Sequence, residues 1–85
     1  MTAKQQKLHA MTYQQNDTGC WVWTGQVSNS GYGRIKDVQA GKPIAMVSAQ
    51  SASYYAFIGP IPEGRLVKQN CGNRLCINPD HLELL

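Results

Sequence analysis

Cys71, Cys76 and His81 stand within eleven residues in the spacing C-x4-C-x4-H, so two thiols and an imidazole fall on one short stretch. Zinc favours thiolate and imidazole, and its structural sites take four protein ligands in a tetrahedron. Gly72, Asn73, Asn78 and Pro79 are turn formers that let this stretch double back around an ion. Cys20 is the one remaining cysteine and supplies the fourth ligand. His9 is the only competing histidine, and it lies in a polar N-terminal stretch. An ion held by Cys20, Cys71, Cys76 and His81 has no open position for a substrate, so the expected cofactor is one structural zinc. The plainer alternative makes two of the cysteines buried thiols and His81 an ordinary surface histidine.

The composition explains why a staple is needed. Eighty-five residues make one domain, and a chain of that size buries too little apolar surface for more than marginal stability. Eight glycines, four prolines and many Gln, Asn and Ser leave a thin core, in which Phe57 is the only phenylalanine. Three cysteines cannot all pair as disulfides. The N-terminus MTAKQQKLHAM carries no apolar run of signal-peptide or membrane-span length. Reduced thiols in the cytoplasm are therefore expected, with no membrane partner. The net charge is +3, spread over Lys4, Lys7, Arg34, Lys36, Lys42, Arg65, Lys68 and Arg74. This suits a nucleic-acid partner or an ordinary solvated basic surface.

The elements that must position these side chains are short. Residues 1–18 read as a polar, loosely held arm, with a short helix around Lys4–Met11, and residues 19–85 as the zinc-bound domain. Cys20–Gly25 has strand composition, with Trp21 and Trp23 facing one side to fill the core beside the zinc. Ser28–Gly31 is a turn signal, and Tyr32–Lys36 alternates, so these segments predict a hairpin with Arg34 and Lys36 outward. Gln39–Pro43 marks a second turn. Ser51–Phe57 suits a helix that stops before Gly59-Pro60, with Ala52, Tyr55 and Phe57 facing or flanking the core. Of Tyr54 and Tyr55, at least one should be buried. Arg65–Gln69 is a further strand. The expected fold class is a small zinc-stabilised α+β domain of short antiparallel strands and one central helix.

Read together, G-C-W-V-W-T-G at 19–25, G-Y-G-R-I at 31–35, S-Y-Y-A-F-I-G-P-I-P-E-G at 53–64 and C-G-N-R-L-C-I-N-P-D-H-L at 71–82 resemble the HNH/His-Cys box endonucleases of phages and mobile introns. The resemblance implies a His-Cys box-like fold and a structural zinc on Cys20, Cys71, Cys76 and His81. It also implies losses. Family members carry Ala-His-Arg where this chain has Ala49-Gln50-Ser51, and place the general-base histidine where it has Gln69. A glutamine amide has no nitrogen basic enough to take a proton from water near neutral pH. The family's Mg²⁺-binding helix would lie beyond Leu85. By resemblance, then, the zinc is kept and no catalytic residue is. Asp80 and Glu83 as Mg²⁺ ligands, or His9 as a base, are weaker substitutes than their reading as solvated groups.

The first functional reading is accordingly a non-catalytic, nuclease-derived DNA-binding protein of phage or mobile-element origin. Arg34, Lys36, Lys42, Arg65, Lys68 and Arg74 are its phosphate contacts, and Gln26, Asn29 and Gln39 could reach base edges. The alternative is a protein-binding module or inhibitor of a host enzyme or defence system on the same scaffold. A third reading is a weak Mg²⁺-dependent endonuclease completed by oligomerisation, a dimer being compatible with the sequence.

Overall fold

Thr2 and Gln5 start the first helix by capping each other. In the computed structural model of the chain, which describes residues 1–38 and 42–85, Thr2 Oγ1 accepts from the Gln5 N–H at 3.1 Å. Gln5 Oε1 accepts from the Thr2 N–H at 2.8 Å. This reciprocal box opens α1 (Ala3–Ala10). One residue of α1, Leu8, is buried, packed with Trp23, Ala49, Ala52 and Ile77. Gln5 Nε2 also donates to the Ala56 carbonyl at 2.7 Å, and Lys4 pairs with Asp37 at 2.7 Å. The expected helix around Lys4–Met11 is present, but it is docked rather than loosely held. A one-leucine stripe is too thin for sequence periodicity to register, and the side-chain hydrogen bonds that dock it have no period.

Met11 turns the chain into β1 (Thr12–Gln14), which pairs antiparallel with β2 (Trp21–Trp23), Thr12 opposite Trp23 and Gln14 opposite Trp21. The other edge of β2 meets the cysteine loop: Val22 bridges Cys76, Trp23 N–H donates to the Leu75 carbonyl at 2.8 Å, and Ile77 N–H donates to the Trp21 carbonyl at 2.9 Å. Side chains alternate across a strand, and β2 uses both faces. Trp21 and Trp23 join the main core, whereas Cys20 and Val22 pack with Cys76 in a second cluster. Both tryptophans thus face one side as expected. They do not lie beside the metal ligands, because the strand separates them.

The expected hairpin between the tryptophan strand and Tyr32–Lys36 closes only over a short stretch beyond β2. The chain reverses at Ser28–Gly31, with Ser28 N–H donating to the Tyr32 carbonyl and Arg34 N–H to the Gln26 carbonyl, both at 2.8 Å, around an antiparallel Val27–Gly33 bridge. Instead β3 (Arg34–Asp37) pairs antiparallel with β4 (Ala45–Ser48), Arg34 opposite Ser48. The reason is the Trp23 indole. It lies over Gly33, where an added Cβ would stand 2.5 Å from Trp23 Cδ1 and 2.9 Å from the Ala49 Cβ. The backbone crosses the ring there instead of running alongside β2. Arg34 and Lys36 do point outward, as the alternation predicts.

Ser48 ends β4 and caps α2 (Ala49–Phe57), accepting from the Ser51 N–H at 3.3 Å. The helix stops before Gly59-Pro60 as expected. Ala52 is buried, Phe57 packs partly buried against the core, and Tyr54 and Tyr55 are both half-buried, so neither tyrosine is a core residue. Beyond the loop, β5 (Val67–Gln69) pairs antiparallel with β6 (Leu82–Leu84), Lys68 opposite Glu83. The result is a small α+β domain of three two-stranded antiparallel pairs and two helices rather than one. No described helix is long and apolar enough to cross a membrane.

Candidate metal centre and the surface around it

Cys20 enters the site from the residue before β2, Cys71 and Cys76 from the loop after β5, and His81 from the single 3₁₀ turn Pro79–His81. Asn78 caps that turn, its Oδ1 accepting from the Asp80 N–H at 2.9 Å. The same side chain ties the two halves together, Nδ2 donating to the Gly19 carbonyl at 2.6 Å. Gly19 itself adopts φ +75°, a conformation that favours glycine, and its Cα packs at the His81 ring, 3.6 Å from where a Cβ would be.

The four ligand atoms lie within 4.8 Å of one another. Cys20 Sγ is 3.6 Å from Cys71 Sγ and 3.6 Å from His81 Nδ1, and Cys76 Sγ is 3.4 Å from the same nitrogen. A tetrahedral zinc with bonds of about 2.0–2.3 Å requires ligand–ligand edges of about 3.5–3.8 Å. The donor set and its spacing fit such an ion, and Nδ1 is the histidine nitrogen turned inward. Cys20 and Cys76 are buried, His81 half-buried and Cys71 exposed. His9 is elsewhere, its ring edge-on to Trp21 at 4.7 Å and its Nε2 3.3 Å from Gln14 Oε1.

The thiols are electrostatically uneven. Burial, reinforced by the hydrogen bond with Cys20, pushes the Cys76 thiol up to about 12. Burial acts in the same direction on Cys20, but hydrogen bonds from Cys76, Thr18 and Cys71 outweigh it and hold that thiol below its ordinary value. Cys20 therefore ionises before Cys76, and Cys76 surrenders its proton only to a strong competitor such as a cation.

Gln69 serves this loop. Its Nε2 donates to the Arg74 carbonyl at 3.1 Å and to the Cys76 carbonyl at 3.3 Å, closing the cysteine loop from the β5 side. From sequence, Gln69 shows only as a missing base. Also missed was Ser53, fully buried on α2, whose hydroxyl donates to the Ile77 carbonyl at 2.6 Å and couples the helix to the loop. A lone serine in an alanine-rich helix gives no such signal. Gln50 is 7 % exposed, and its Oε1 has no hydrogen-bond partner among the described residues.

The six basic candidates divide. Arg34 and Lys36 stand side by side on the outward face of β3, and Lys42 lies beside the start of β4. None of the three has an ion-pair partner among the described residues. Lys68 pairs across the strand with Glu83 at 3.4 Å, both half exposed. Arg74 packs its guanidinium 5.5 Å from the Tyr32 ring centre and donates to the Ser30 carbonyl at 2.9 Å, while Arg65 donates to the Leu85 carbonyl. Gln26 and Asn29 are exposed near the 28–31 turn. Gln39 lies outside the described residues.

Residues 51–85 match the profile of the HNH endonuclease family, in line with the resemblance drawn from the motifs. The chain is also similar to Protein 2.8 of Escherichia phage T7, with 34 % identity over 67 residues covering 79 % of this chain and 42 % of that protein. It thus spans less than half the length of that relative. No solved structure matches it significantly.

Proposed function

We propose that this chain is a non-catalytic, HNH-derived DNA-binding protein held together by one structural zinc. The observation that carries the reading is the fate of Gln69. It occupies the position of the family's general base, yet it is an amide with both of its Nε2 hydrogen bonds spent on closing the zinc loop. Gln50 occupies the other histidine position and is likewise without a basic nitrogen. What remains usable is a surface. Arg34, Lys36 and Lys42, without an ion-pair partner among the described residues, present cations by the β3–β4 pair, suited to phosphate contacts that fix a protein on a duplex. Cys20, Cys71, Cys76 and His81 would hold the zinc, which would supply structural closure and offer no site for substrate.

A protein partner is the second reading, favoured by one observation. Leu66 and Leu85 are 67 % and 56 % exposed and adjacent, joined by the Leu85 N–H to Leu66 carbonyl bond at 2.7 Å. The deciding experiment measures zinc content, then binding of a labelled duplex at low and high salt with Mg²⁺ present. One zinc per chain and salt-sensitive binding to intact duplex is the expected result. Duplex cleavage would overturn the non-catalytic assignment, and absence of duplex binding would transfer the weight to a protein partner.

A further inference from the structure

A buried amide oxygen without a partner marks a second binding site. Gln50 is more than nine-tenths buried near the start of α2, and no group among the described residues bonds its Oε1. Buried polar atoms are nearly always paired, and an orphan costs stability that a hydrophobic residue of similar size would not. Gln50 lines two grooves, of about 240 Å³ and about 260 Å³, which share Tyr32, Ser48 and Gln50 as their common wall. The larger has a polar floor of Ser48, Gln50 and Gln69, and an apolar lip formed by Leu66 and Leu85. Gln69 spends its Nε2 on the zinc loop, which leaves its Oε1 as an acceptor. Arg34, without an ion-pair partner, is on the rim of the smaller groove.

A ligand for this place must be flat and apolar on its faces, and must carry a donor and an acceptor side by side on one edge. It must also be smaller than the drug-sized ligands that fill about 300–1,000 Å³. A nucleobase meets these terms, and adenine meets them best, because a glutamine amide pairs with its N6 amino group and N7 together. A buried amide at the bottom of a groove cannot reach a base edge within an intact stack, so the base must be unstacked before it enters. We infer that the Gln50 groove binds a single unstacked adenine-type base, with Arg34 on the adjoining phosphate. This inference deepens the DNA-binding reading and rests on it for its oligonucleotide arm; the free nucleoside tests the groove alone.

The test compares a single-stranded oligo-dA, the same strand with abasic sites, a duplex and free adenosine, each titrated into the zinc-loaded protein and into two variants. Gln50→Leu removes the amide while keeping a side chain of similar size, and its thermal midpoint should equal or exceed that of the parent. Leu66→Ser alters only the exposed lip, so it reports on the groove even if the first variant folds poorly. Oligo-dA should bind at least about tenfold more tightly than the abasic strand. Both variants should erase most of that difference and leave duplex binding unchanged. Equal binding of the abasic strand, or indifference to both variants, overturns the inference and leaves duplex binding standing. Adenosine binding that Gln50→Leu abolishes, without affinity for any strand, supports the groove and sinks the DNA reading. No binding of any probe overturns both.

Discussion

Cys76 sets the terms on which a metal enters. Its sulfur is buried and its thiol is pushed up to about 12, so at neutral pH the metal-free chain holds that proton and an incoming metal must displace it. Because the folded thiol binds its proton more tightly than a free cysteine does, acid favours the proton and alkali favours the metal. Zinc affinity should therefore rise from pH 6 to pH 8 by about tenfold per pH unit for each proton displaced. Calorimetry in two buffers of different ionisation enthalpy would count those protons, and a pH-independent affinity would contradict the assignment. Cys76→Ser should lose the ion and with it folding free energy on the order of 10 kcal/mol, the scale of structural zinc in small domains. Circular dichroism and metal analysis would show an unfolded, zinc-free chain. A variant that keeps both its midpoint and its zinc would end the structural-metal proposal.

At the scale of the elements, β2 decides the packing. It pairs with β1 on one edge and with the cysteine loop on the other, and Trp23 covers Gly33 where the 26–34 segment closes in a short antiparallel bridge beyond β2. Gly33→Ala would place a methyl 2.5 Å from the indole and 2.9 Å from the Ala49 Cβ. Overpacking of this kind should cost about 1–3 kcal/mol, read as a lowered midpoint in urea, and a neutral result would mean that Trp23 swings aside cheaply. The same neighbourhood explains what sequence could and could not convey. Ligand types and spacing made the four-residue cage legible, because zinc chemistry allows few alternatives for three thiols and a histidine. Alternation placed Arg34 and Lys36 outward, and Gly59-Pro60 ended α2. The hairpin stays short because a turn signal at Ser28–Gly31 says where the chain reverses, not which strand it meets afterwards. β1, β4 and β6 span only three or four residues each, too few for a period to show. Gln69 was read as a lost base, since its bonds to two loop carbonyls depend on tertiary placement.

For the molecule as a whole, the radius of gyration is 11.9 Å. A compact chain of this length should measure about 12 Å, so the N-terminal helix belongs to the folded body. The charge that faces outward is modest, and half of the candidate cations are engaged within the protein. Duplex affinity should accordingly depend on few residues. Replacing Arg34 and Lys36 together by Ala should weaken binding to all sequences alike and reduce the slope of log affinity against log salt by about 2. Fluorescence anisotropy across a salt series would measure it. An unchanged slope would remove the β3 face from the interface.

The cage also imposes an order on biosynthesis. Cys20 and His81 are separated by 61 positions, and Cys20 and Cys71 by 51. At a ribosomal rate of roughly 5–20 residues per second, the Cys20 thiol waits about 3–12 seconds for its last partner to be made. Throughout that interval β2 lacks the loop that covers one of its edges, and the thiol stands open to oxidants and to softer metals. On the structural-metal reading, closure of the cage waits for the C-terminal loop, and metal supply at that moment would set how much of the newly made protein matures.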